Sequence, residues 1–397
     1  MNRIQRLRRD QSGMSLVFVG FGMMAFVGAS MLAIDVGMLM TARSQAQNSA
    51  DAGALAGATA LIYDSYTDRS AGGPAVTSAI RASQMNNVMA KQVSVTPGDV
   101  EFLNSPTTGE SNRVKVTVLR TASRGNPVST MIARYFGMAT SDIRAIATAE
   151  ASPANAMDCV KPFTIPDKWI EKSSPPWDSL TSTYDAYDKK NNPLPKPDIY
   201  IPAYNADGTT NPNYTGYRMF PATPGGPTDV GTNLTIRAGN NNNLGPSFYF
   251  SLAMTNDTGG SDYRWNIANC NTTHYKWGDV LVQEPGSMMG PTTQGIEELI
   301  AKDSSARFNT STQKVDSVYG NHSPRVFPIP LYDPIFYDSG KRNGRVANIK
   351  MANWICFFAD TVSGNDIQGI LVPCIGVYDK GGPAPNVFLP KTIRLIG

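Results

Sequence analysis

The sequence predicts an α+β protein. An N-terminal transmembrane helix continues as a long stalk, a small helix-on-antiparallel-sheet unit follows, and a mainly β, disulfide-stapled extracytoplasmic domain completes the chain. Three observations carry this reading. Residues 14–34 hold no charged side chain in 21 positions, a helical pattern runs on without proline to residue 63, and all but four of the 28 prolines lie beyond residue 150.

The chain has 397 residues, 41% of them hydrophobic and 17% charged, with a formal net charge of +3. Arg3, Arg6, Arg8 and Arg9 against Asp10 account for all of that charge, so the remainder is formally neutral. A protein that binds nucleic acid needs a positive face that contacts many phosphates, and this distribution excludes one; no nucleic-acid partner is expected. The length suits two or three folded units with real cores.

At 1.5 Å per residue the uncharged run covers about 30 Å, the hydrocarbon thickness of a bilayer. The arginines before it place the N-terminus in the cytoplasm and the rest of the chain outside. The expected organisation is a basic tail over 1–13, a transmembrane helix over 14–40, a stalk helix with a small α+β unit over 41–151, and a loop-rich β domain over 152–397. Two alternatives stay open: a buried core helix, and a secretory signal cleaved near Val27, Gly28 and Ala29. Asp35 is expected at the outer interface, reaching water, with a partner inside the membrane as the alternative.

Beyond the span, Leu39, Ala42, Ala46, Ser49, Gly53, Ala56 and Ala60 recur at spacings of three and four, and Gly53 with Gly57 forms a G-x-x-x-G step. Such a seam of small side chains lets another backbone approach closely. Its partner is either the chain's own downstream domain or a neighbouring subunit, which would make a homo- or hetero-oligomer through the stalk. The spacing further predicts a helix over 75–89, strands over 100–103 and 114–119, a short helix over 128–136 and a strand over 143–149. Short strands are expected at 234–237, 247–253, 279–282, 326–328 and 348–358, with one helix over 293–301. The Pro/Tyr-rich stretch over 175–227 reads as a long irregular segment, mobile or binding.

All four cysteines follow the membrane segment, which favours disulfides over free thiols. Four cysteines allow three connectivities. Strands at 355–361 and 367–377 around the turn residues Ser363 to Asp366 set residues whose numbers sum to about 729 or 730 opposite each other. That places Cys356 facing Cys374 and leaves Cys159 for Cys270.

Chemistry-bearing motifs are sparse. The chain has no G-x-S-x-G, H-E-x-x-H or phosphate-binding G-x-x-x-x-G-K-[ST] pattern, and its two histidines, His274 and His322, stand in polar loop sequences. Glu297 and Glu298 read as surface charges. Asn205 to Gly208 and Asn256 to Gly259 resemble pieces of calcium loops without the closing carboxylate, so turns are expected. No enzyme, cofactor or metal is expected. Trp265, Tyr275 and Trp277 are candidates either for a glycan- or protein-binding face or for the β core.

The segment from Arg8 to Leu61 resembles the N-terminal domain of TadG-like proteins of the Tad (Flp) pilus-assembly system. The resemblance rests on the basic tail and Gly13, on Ala33-Ile34-Asp35-Val36-Gly37 at the outer end of the span, and on Gln47-Asn48-Ser49-Ala50-Asp51-Ala52 with the small-residue run through Ala60. It implies a bacterial inner-membrane or envelope-anchored protein that helps assemble, anchor or display tight-adherence pili, with the bilayer and the pilus or secretion machinery as partners. Longer members carry a von Willebrand factor A-type domain with a metal-binding Asp-x-Ser-x-Ser; Asp178-Ser179-Leu180-Thr181-Ser182 misses that spacing. Related minor pilins are cut after a glycine and keep a Glu five residues on, whereas Gly13 is followed there by Phe18, so no prepilin processing is expected.

Overall fold

A computed structural model describes residues 12–396 apart from 173, 175, 189–191, 222–225, 239–243, 255–258, 287, 336, 337, 339–347, 381–385 and 387. The arginines of the basic tail and the expected turn at Asn256, Asp257 and Thr258 lie outside the described residues.

Helix α1 runs unbroken over Ser12–Tyr63, 52 residues, or about 78 Å. Helix α2 (Pro74–Gln84) opens with proline in its first turn, where the missing N–H is not needed. It stops five residues before the expected end at 89. Met89 and Ala90 adopt positive φ, and Asn87–Val88 pairs with Lys91–Gln92 in a tight hairpin whose Met89 N–H donates to Gln45 Oε1 at 2.7 Å.

The strands that follow are β1 (Val100–Leu103), β2 (Arg113–Arg120), β3 (Ile143–Pro153), β4 (Phe163–Pro166), β5 (Asn233–Ala238), β6 (Phe248–Ala253), β7 (Val280–Gln283), β8 (Val326–Tyr332), β9 (Asn348–Ser363), β10 (Asp366–Leu371) and β11 (Lys391–Leu395). Two helices fall between them, α3 (Gly260–Ala268) and α4 (Met289–Lys302). The result is an α+β fold built on two sheets.

The smaller sheet has the order β11-β3-β2-β1, antiparallel throughout. Val114, Val116 and Val118 on β2 and Ala145, Ala147, Ala149 and Ala151 on β3 are buried. They face the outer half of α1, where Ala42, Ala46, Ala50, Ala54 and Ala58 are fully buried. Alanine on both surfaces lets helix and sheet approach closely. Gly57 marks a close approach to the sheet, because a Cβ there would stand 2.7 Å from Val114 Cγ1 and 3.2 Å from the Ala75 carbonyl.

Three expectations need correction here. The boundary at 151/152 falls inside β3, and β11 returns from the C-terminus to complete the small sheet, pairing Ile393 with Ala151. The unit is therefore discontinuous in sequence, a pairing too distant for local pattern to reveal. The helix expected over 128–136 is instead a two-residue strand pair, Val128–Ser129 with Thr140–Ser141, enclosing a single 3-10 turn at Ala133–Phe136. The stretch 175–227 is not a loose segment in its described part: Tyr184, Tyr200, Tyr204, Tyr214 and Tyr217 are buried, most of them in a second core around Trp169 and Trp354.

The larger sheet has the order β5-β10-β9-β7-β6-β4-β8, and extra pairings of β5 with β6 and β8 with β9 curl it back on itself. In the β9–β10 hairpin, pairs such as Val362 with Ile367 sum to 729, but a bulge between Ala359 and Thr361 shifts the register, so Phe358 pairs with Ile370. Cys356 and Cys374 are bonded just past the end of β10, with Cα atoms 5.9 Å apart, and Cys159 is bonded to Cys270 at 4.3 Å. Helix α3 escaped the sequence reading because its nine residues have little apolar periodicity. It packs on α4 at Gly295, where a Cβ would meet Ile267 at 2.7 Å.

The units meet where α1 ends. The buried Lys391 ammonium lies 3.2 Å from Glu110 and over the rings of Tyr66 and Phe220, and Lys314 pairs with Asp64. Replacing Gly57 with leucine should overpack the helix–sheet contact and cost about 3 kcal/mol or more. Thermal denaturation of the full chain in detergent should register a Tm lowered by several degrees; an unchanged Tm would show that the helix does not pack there.

Candidate functional site: the two halves of the long helix

The inner half of α1 presents apolar side chains on every side. Leu16, Phe18, Phe21, Met24, Phe26 and Leu32 are exposed, and none of the most apolar 18-residue window is buried against protein. A helix that is hydrophobic all round and packs on none of the other described residues has the length and composition to cross a membrane.

The outer half is packed inside the protein. Of the seam residues, Ala42, Ala46, Ser49, Gly53, Gly57 and Ala60 are buried, and Leu39 and Ala56 are half-buried. Ala50, Ala54 and Ala58 form a further buried row outside the seam expected from the three-and-four spacing. A Cβ on Gly53 would stand 2.9 Å from the Ala79 carbonyl of α2, and Ser49 Oγ donates to the Ser83 carbonyl at 2.8 Å. On the sheet side Gln47 Nε2 donates to the Ile146 carbonyl at 3.0 Å. The surface in contact with the seam is the chain's own α2 and small sheet.

Between the halves stands Asp35, which is 3% exposed. Its carboxylate accepts the backbone N–H groups of Met131 at 2.8 Å, Ile132 at 3.0 Å and Ala133 at 2.5 Å. Three successive amides at the start of a 3-10 turn form an anion-binding concavity. The expected water-facing role is thus replaced by a long-range clamp between α1 and the 128–141 segment. Only the Asp in an otherwise uncharged context hinted at it; the partner amides carry no sequence signal.

Elsewhere the chemistry-bearing residues are dispersed. His274 and His322 are exposed on separate loops, Glu297 is exposed, and Glu298 pairs with Arg264. Asp178 Oδ1 accepts from the Leu180 and Thr181 amides at 2.9 Å, and Asp207 Oδ1 from the Thr209 amide at 2.9 Å, so both carboxylates organise turns. Among the described residues no cluster of three His, Cys, Asp or Glu side chains could hold a metal ion. Trp265 is exposed on α3, whereas Trp277 is half-buried with its ring 4.4 Å from that of Tyr204.

The sequence reading missed Asp167, which follows β4 and is fully buried. It accepts hydrogen bonds from Tyr214 Oη at 2.7 Å, Tyr200 Oη at 2.9 Å, the Lys168 amide at 2.9 Å and the Tyr217 amide at 3.0 Å. Burial pushes its pKa up to about 6, with these donors opposing the shift. Burial likewise lowers Lys161 to about 7, aided by Lys302. Both groups are enclosed, and the Asp167 network ties the tyrosine-rich segment to β4 and, through Asn353, to β9.

Residues 13–60 match the Tad family described as Flp pilus-assembly TadE/G-like. That domain coincides with α1, both the exposed inner half and the buried outer half, and supports a role in pilus assembly. No curated protein and no solved structure matches the chain.

Asp167 sets a pH dependence. An unfolded aspartate releases its proton near pH 4, and the folded one near 6. Between those values the folded chain binds more protons, so the stability present below pH 4 is lost as pH rises through 6. In scanning calorimetry the wild-type Tm should fall relative to that of Asp167→Asn from pH 4 to 7; parallel profiles would exclude this carboxylate as the titrating group.

Proposed function

We propose that this protein is a membrane-anchored structural component of Tad (Flp) pilus assembly or secretion, acting through protein contacts and without enzymatic chemistry. Residues 14–34 cross the bacterial inner membrane once, the basic tail stays in the cytoplasm, and the disulfide-bonded body stands outside. The observation that carries this reading is the coincidence of the TadE/G-like match with a helix whose apolar inner half meets no protein while its outer half is core. The charge asymmetry at the N-terminus supports the orientation, and the two disulfides fit an oxidising compartment.

Such an arrangement transmits position. An anchor that is also a core element holds the body at a fixed height and orientation above the bilayer, where its surface can meet pilus or secretion subunits. In-frame deletion in the host should abolish surface pili and tight adherence. The full chain should restore them, and an exported form of residues 41–397 without the span should not. Normal piliation of the deletion strain, or full rescue by the unanchored form, would overturn the proposal.

A further inference from the structure

The segment between Val128–Ser129 and Thr140–Ser141 projects a set of apolar side chains that nothing among the described residues covers. Met131 is 57% exposed, Tyr135 75%, Phe136 77% and Met138 60%. Unlike a frayed loop, the segment is braced internally. Thr130 N–H donates to the Ala139 carbonyl at 3.1 Å, Thr130 Oγ1 to the Met138 carbonyl at 2.5 Å, and Met138 N–H to the Ala133 carbonyl at 3.0 Å. Its one charged residue, Arg134, lies with its guanidinium 5.0 Å from the centre of the Tyr135 ring.

Its height is set by Asp35. That residue stands immediately after the uncharged run of 14–34, and it holds the segment by the amides of Met131, Ile132 and Ala133. The hydrogen bonds from the Met89 N–H to Gln45 and from Gln47 to the Ile146 carbonyl attach the body 10 and 12 residues further along, about 15–18 Å farther from the membrane. The segment therefore reaches below these attachments to the level where the apolar surface of α1 begins.

We infer that residues 131–138 form a finger that inserts into the outer interfacial layer of the lipid bilayer beside α1. Tyr135, Phe136, Met131 and Met138 enter the boundary between headgroups and acyl chains, and Arg134 meets lipid phosphate. Tyrosine concentrates at that depth because one end is apolar and the other tolerates water, Phe and Met side chains add apolar surface that acyl chains cover, and a long cationic side chain reaches the headgroups from the same position. The occupant is lipid because Asp35, at the end of the uncharged run, holds the patch beside α1, and the patch carries no acidic group. This inference rests on the membrane-spanning reading of residues 14–34.

The full chain in nanodiscs of phosphatidylcholine and phosphatidylglycerol supplies the test. A ketone-linked spin label, which leaves the disulfides intact, is placed at 24, 136, 138 or 318, and its collisions with oxygen and with a water-soluble nickel chelate are compared. Position 318 lies at the opposite end of the body, near the Lys314 pair with Asp64, and is 79% exposed. The inference predicts that 24 is shielded from nickel most, 136 and 138 to an intermediate degree, and 318 not at all. Labels at 136 and 138 as accessible to nickel as 318, with 24 still shielded, would overturn the finger while leaving the span intact. A label at 24 open to nickel would overturn both.

Discussion

Everything in this architecture depends on one unbroken helix whose two halves carry different surfaces. Over its first half α1 offers bulky apolar side chains to all sides, with the length and composition to cross a membrane. Over its second half it offers alanine, serine and glycine, which bring a helix and a sheet into close contact. Since no break separates the halves, the apolar first half and the packed second half form one continuous helix, and the small sheet packs directly on that helix.

The junction between the halves is where a carboxylate becomes structural. Asp35 could stay hydrated at an interface, but instead three backbone amides replace its water. Charge-assisted hydrogen bonds of this kind are stronger than neutral ones, and they fix the 128–141 segment against the helix at one height. The connection between the units lies at the far end of α1, where Lys314 pairs with Asp64 just past the helix and the C-terminal strand closes the small sheet. The body is therefore held to the helix at both ends.

Much of this is legible from local pattern. The uncharged run, the small-residue seam and the β1 and β2 strands follow from periodicity, because each signals itself within a few residues. The resemblance of residues 8–61 to TadG-like proteins likewise agrees with the family match over 13–60. What the pattern hides is long-range. The return of β11 to β3, the amides that receive Asp35, and the tyrosines gathered on Asp167 all join residues dozens to hundreds of positions apart. The 128–136 stretch shows the limit well: its helical spacing was overridden by tertiary hydrogen bonds to a residue nearly a hundred positions earlier.

The central claim is that the outer half of α1 is part of the folded core rather than a free stalk. Native-state hydrogen exchange of the full chain in nanodiscs addresses it directly, since core amides open only with global unfolding while isolated helices fray. The amides of residues 42–61 should exchange as slowly as those of β2 and β3 and lose protection together with them in denaturant. Exchange of 42–61 at a faster, independent rate would contradict the account.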